Sequence, residues 1–204
     1  MQVLSTIILS QIVSAIFLLF LQRKNRYPNK VLIGVLLAYG FWMIDILLRV
    51  SHTYRDHPNL YFIPINYSLS FGPLIYFYIR TLTNDGFRLG RESLKHFLPV
   101  FAQMLFYCVC FALPYSLKRS FWINVHSLYT YDLEIILVQL SLIFYLLRSI
   151  RYFRQYRVYV ANRFSESSHI NLNWLRLVIF LLLALAVIWL VDFLGWIIFR
   201  QVRF

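Results

Sequence analysis

An all-α bundle of membrane-spanning helices is the fold this chain predicts, on three observations. Of its 204 residues, 60% are hydrophobic and 19% aromatic, and the mean hydropathy is +0.65, which leaves too little polar sequence to coat a soluble domain. The apolar residues gather into six runs, at 3–21, 31–50, 60–82, 97–115, 128–147 and 172–199. Each is near the ~20 residues that cross ~30 Å of hydrocarbon at ~1.5 Å per residue. The basic residues gather between the runs. A single polytopic domain over 1–204 with six membrane helices is therefore expected.

The first run follows Met1-Gln2 with no basic stretch before it and no small-residue cleavage site after it, so it reads as a retained helix and not a signal peptide. In the second, Asp45 and Arg49 are four residues apart with the acid first, the spacing of a self-neutralising helical pair. The third carries Pro64 and then Gly72-Pro73 at mid-depth. A proline there removes an amide and frees carbonyls of the preceding turn, so a kink and a hinge are expected at Gly72 and Pro73. Asn66, Ser68 and Ser70 are placed to satisfy the freed groups or to bond across to a neighbouring helix. The fourth enters through His96-Phe97-Leu98-Pro99, with proline in its first turn. Its two cysteines, Cys108 and Cys110, point about 200° apart on a helix and read as packing residues. The fifth opens with Asp132 and Glu134, and the sixth, long enough to require tilt, carries Asp192.

Charge sets the expected orientation. The first connection holds Arg23, Lys24, Arg26 and Lys30; the third holds Arg80, Arg88, Arg91 and Lys95; the fifth holds Arg148, Arg151, Arg154, Arg157, Arg163 and Arg176. These are fourteen of the twenty basic residues, which puts the odd connections in the cytoplasm and the N-terminus outside. The same flanks account for the net charge of +12 and favour anionic headgroups. Arg148, Arg151, Arg154 and Arg157, at steps of three with Tyr152 and Tyr156 between them, read as a cytoplasmic basic collar in the headgroup layer. The competing reading is a surface that stacks and neutralises single-stranded nucleic acid.

Ionisable groups in hydrocarbon cost several kcal/mol unless paired, hydrated or used. The expected orientation puts Asp45, Asp132, Glu134 and Asp192 in the outer half. With Arg49, Asn66 and His126 they form the candidate ligand-binding set, ringed by Trp42, Trp122, Trp189 and Trp196. The alternative for these tryptophans is an interfacial belt. No catalytic residue, metal site or cofactor is expected: there is no phosphate loop, GxSxG, HExxH or Cys-x-x-Cys. His96 and His169 stand without nearby carboxylates.

FGPLIYFYIRTLT at 71–83, FRL at 87–89, KHFLPVF at 95–101 and HINLNWLRLVIF at 169–180 follow one another in order. Together they resemble the membrane region of bacterial, Bacteroidetes-type AraC-family regulators, over about residues 1–199. The resemblance implies a multi-helix sensor in the bacterial inner membrane with its N-terminus periplasmic. It also implies a seventh helix and a cytoplasmic helix-turn-helix domain, neither of which this sequence carries. The expected function is a sensory domain truncated or split from its DNA-binding part, or a stand-alone relative, with no sequence-specific DNA binding of its own. Expected partners are the lipid bilayer, a small extracytoplasmic ligand, and a second copy or a separate cytoplasmic regulator. Two other classes stay open: a small transporter or channel subunit, and an accessory protein that recruits an acidic protein or RNA.

Overall fold

The computed structural model describes residues 2–22, 25–84, 86–163 and 173–202, with side chains placed outside 157–163, 173 and 200–202. Arg23, Lys24, the Arg157 and Arg163 side chains and His169 lie outside that description. Among the described residues the fold is all helix, with no strand.

Helix α1 (Gln2–Leu21) is apolar around its whole circumference and buries only Ser5 and Ile12. Its remaining surface faces outward, as a lipid-facing helix requires. It lies antiparallel on α2 (Arg26–Val50): Gln2 Nε2 reaches the Val50 carbonyl at 3.4 Å, and Ile12 packs beside Gly40. Ser51 and His52 end α2, His52 with φ 60°, and the chain turns into the short α3 (Thr53–Asp56).

The chain departs from expectation at 60–82. Residues 58–70 form two 3₁₀ turns, Pro58–Leu60 and Ser68–Ser70, joined by an irregular stretch in which Phe62 adopts φ 61°. Only then does α4 (Phe71–Thr83) begin, and its 13 residues rise ~20 Å, too little to cross a bilayer. Among the described residues five helical stretches, not six, are long and apolar enough to span: Gln2–Leu21, Arg26–Val50, Arg91–Phe111, Tyr115–Tyr156 and Trp174–Phe199. The apolar character of 60–70 has another cause. Tyr61, Phe62, Asn66, Ser68 and Ser70 are buried inside the protein, where irregular backbone is tolerated at membrane depth.

The mid-helix position expected for Gly72 and Pro73 is corrected by the same observation: both lie in the first turn of α4, where the amide that proline lacks has no helical partner to lose. Gly72 serves close packing. A Cβ on it would stand 2.7 Å from Tyr145 Cδ2 and 3.0 Å from the Ser141 carbonyl oxygen, so only glycine lets α4 approach the helix behind it this closely.

That helix is α8 (Tyr131–Arg163), which continues from α7 (Tyr115–Phe121) through a nine-residue π-helical stretch, Trp122–Thr130. The expected fifth connection is therefore the end of a 33-residue helix. Before it, α5 (Arg91–Leu94) passes through a 3₁₀ turn into α6 (Leu98–Phe111), with Pro99 in the first turn as its spacing suggests. Helix α9 (Asn173–Val202) packs on α8 through Leu175 and Ile179 against Leu146 and Phe153. Cys108 and Cys110 are free, Cys110 buried.

The central helix is α4, which buries seven of its residues between α2 and α8. The bundle has two chemically distinct ends. One gathers the ends of α1's and α2's long contact at Gln2 and Val50, the start of α8 and the stretch 61–70. The other gathers Tyr27, whose hydroxyl accepts from the Leu89 amide at 2.7 Å, with Arg80, His96 and Arg148.

Candidate functional site

The first end is organised around two carboxylates. Asp45 and Arg49 form the pair their spacing implies: Arg49 Nε donates to Asp45 Oδ2 at 2.8 Å. Tyr54, brought back by the α2–α3 turn, donates its hydroxyl to the other oxygen of Asp45. Burial, with Asp45 beside it, holds the Tyr54 phenol above its ordinary pKa, so it remains the donor. The Arg49 guanidinium lies 4.5 Å from the Tyr131 ring centroid, 5.0 Å from Trp122 and 5.7 Å from Tyr54. One of its terminal nitrogens is buried with no hydrogen-bond partner.

Glu134, one helical turn into α8, accepts three bonds. Asn66 Nδ2 donates to Oε1 at 2.9 Å and Tyr107 to Oε2 at 2.8 Å, and Gln103 Nε2 makes a short contact to Oε1. The amides of the irregular stretch explain why Asn66 and Gln103 stand here. The Ser68 amide donates to Asn66 Oδ1 at 3.1 Å and the Leu69 amide to Gln103 Oε1 at 3.3 Å. Each side chain thus satisfies a backbone donor that the interrupted helix leaves open, and turns its own amide group to Glu134.

His126 completes the group. It is fully buried, with Nδ1 2.8 Å from the Thr130 hydroxyl and Nε2 without a partner. Phe62 and Trp122 stand 4.8 Å away by ring centroids, and Tyr131 at 5.9 Å. The π-helical stretch carries it into this cage, and such widened turns often occur where a helix has a local task.

Asp45, Arg49, Asn66, His126 and Glu134 are thus brought together from four parts of the chain. Asp132 is half-buried at the start of α8, beside Tyr131. Asp192 does not join them. It is exposed on α9, with no hydrogen bond or ion pair among the described residues. Nor do the tryptophans form one ring: Trp122 is in the cage, Trp42 packs on Tyr39 and Phe71, and Trp189 and Trp196 stack on Phe193. Tyr54, Gln103, Tyr107 and Tyr131 complete the site and escape sequence reading, because Tyr54 lies in a short connection and the other three are uncharged members of apolar runs. Only their three- to four-residue recurrence on α6, at 103 and 107, carried a signal.

No family model, no curated protein and no solved structure matches this chain.

Cavities occupy the opposite end. One of about 510 Å³ is lined by Phe77, Arg80, Phe87 and the 88–96 segment, with Arg148. A second of about 480 Å³ is lined by Tyr76, Arg148, Arg151 and Tyr152, and a third of about 210 Å³ by Arg154 and Arg176 with Phe153 and Ile179. At the other end the carboxylates are hydrogen-bonded to their own neighbours, and none of these three cavities opens there. Among the described residues no three His, Cys, Asp or Glu side chains stand close enough to hold a metal.

Proposed function

We propose that this chain is a membrane-embedded sensory module that passes a change at the carboxylate network to the arginine-rich end. The observation that carries the reading is α8 itself. It is one uninterrupted helix that holds Glu134 within the network and Arg148 in the cavity walls, ~21 Å further along. Helix α4 runs beside it from the Glu134 end to Arg80. A shift of α8 against α4 at one end is therefore felt at the other. The sequence resemblance to AraC-type membrane regulators supports this reading, as does the distribution of basic residues, which favours a bacterial inner membrane with the arginine end cytoplasmic and the N-terminus outside. A ligand or ion that competes for Glu134 or Asp45 would supply the differential contact that a switch requires.

The test is a distance measurement. Spin labels at Asn84 and Arg154, both exposed, are read in lipid nanodiscs with the native cysteines replaced by alanine. Glu134→Gln is expected to change the distance distribution between the labels. A distribution that stays the same in both Glu134→Gln and Asp45→Asn, with helix content intact, would refute the coupling.

One observation favours a second reading. A short helix that begins within the membrane, next to a buried carboxylate and an irregular segment, is the arrangement discontinuous helices use to hold substrates or ions in transporters. Ion flux into proteoliposomes that disappears in Glu134→Gln would select transport over sensing.

A further inference from the structure

The 510 Å³ cavity between α4, the 87–96 segment and α8 has five cationic side chains on its wall, Arg80, Arg88, Arg91, Lys95 and Arg148, against one carboxylate, Glu92. Three of the guanidinium groups stand on aromatic rings, Arg88 at 4.5 Å from the Tyr27 centroid. Arg80 lies 4.0 Å from the Phe87 centroid and 5.7 Å from Tyr76, and Arg148 lies 5.4 Å from the same Tyr76. Neither has a carboxylate partner among the described residues, and Arg80 Nε is buried without any hydrogen-bond acceptor. A collar that merely meets the headgroup layer extends long, mobile basic side chains outward. Here the half-buried Arg80 fork rests on aromatic faces and the exposed Arg148 fork meets the same Tyr76 along a concave wall, an arrangement suited to bidentate reading of phosphate.

We propose that this cavity binds a phosphate-bearing anion, with Arg80 and Arg148 as its fork donors and Arg91 and Lys95 adding positive charge. The volume suits a lipid headgroup or a small organic phosphate, and basic pockets between membrane helices take headgroups elsewhere. The inference holds whether the chain senses or transports. The shared chemistry leaves two sources, the membrane leaflet and the aqueous phase.

The experiment uses the full chain in nanodiscs. Pyrophosphate is titrated in discs of phosphatidylcholine alone, and in a second arm phosphatidylglycerol is added without pyrophosphate, with thermal unfolding as the readout in both. Wild type is expected to be stabilised in at least one arm, and Arg80→Gln with Arg148→Gln to weaken that response by about tenfold or more. Arg154→Gln with Arg176→Gln removes the same charge from the same end, outside this cavity, and should respond as wild type does. A response to phosphatidylglycerol alone assigns the headgroup, and a response to pyrophosphate in neutral discs assigns a soluble phosphate. Should the Gln pair fail to assemble, Arg80→Lys with Arg148→Lys keeps the charge and removes the forks, and is expected to weaken the response. No stabilisation in either arm, equal loss in the two Gln pairs, or full retention in the Lys pair would overturn the site.

Discussion

At the scale of single residues, the carboxylate network is decided by who keeps a proton. Tyr54 donates to Asp45, and its pKa is raised by burial and by that carboxylate. A raised folded-state value means that above pH ~10 the unfolded chain releases a proton the folded chain retains, so stability from this bond is whole below pH ~10 and falls as pH rises further. Tyr54→Phe should therefore be less stable than wild type at neutral pH, by about 1 kcal/mol. The gap should narrow in alkaline unfolding titrations in detergent; a gap that is constant with pH would show that the phenol proton is not involved. Much of this site was legible in the sequence. The Asp45–Arg49 spacing, the cost of Asp45 and Glu134 in apolar runs, and the polar Asn66 all pointed to it. Asp192 stands apart, exposed on α9, because cost alone names a residue as exceptional without saying whether protein or headgroup layer relieves it. Tyr107 passes as packing because its ring suits an apolar run, while Gln103, whose amide is as costly to bury unpaired as that of Asn66, carries no charge to single it out.

Among elements, the contact of α4 with α8 carries the most geometry. An alanine at Gly72 would place its methyl against a backbone oxygen and a ring, and the oxygen has no rotamer by which to retreat. Gly72→Ala is expected to destabilise the protein by about 1–3 kcal/mol in equilibrium unfolding. Gly195→Ala on α9, where an added Cβ meets nothing within 4 Å, should be neutral or slightly stabilising. Equal behaviour of the two variants would mean that α4 and α8 are not so closely packed. Five of the six expected runs correspond to helices long and apolar enough to span. The third run, at 60–82, does not form one long helix, because hydropathy reports that a segment avoids water, not whether lipid or protein surrounds it. Tyr61 and Phe62 avoid water by packing under Trp122 and Tyr107. Similarly, the wide turn at Trp122–Thr130 has no compositional mark, since its residues suit an α-helix equally well.

For the molecule as a whole, α1 and α9 are flanks and α4 is the centre. The flanks pack chiefly on α2 and α8 and present apolar side chains such as Phe17, Phe20, Leu185 and Ile188 outward. Because α4 is too short to span and is buried by partners on both sides, it has no stable residence in lipid by itself. During synthesis, α1 and α2 can enter the bilayer as a hairpin as soon as they leave the ribosome. The chain from Tyr61 to Thr83 must then wait at the interface or in the insertion machinery until α8 is made. A released chain truncated at Thr130 should consequently leave residues near Ser70 open to water-soluble thiol reagents when a cysteine is placed there, and a released chain that runs through α8 to Arg163 should protect them. Equal protection in the two would mean that α4 enters without its partner. The shortness of one helix thus makes biogenesis of this protein depend on a segment synthesised long after it, and gives chaperones and proteases of the membrane a defined interval in which to act.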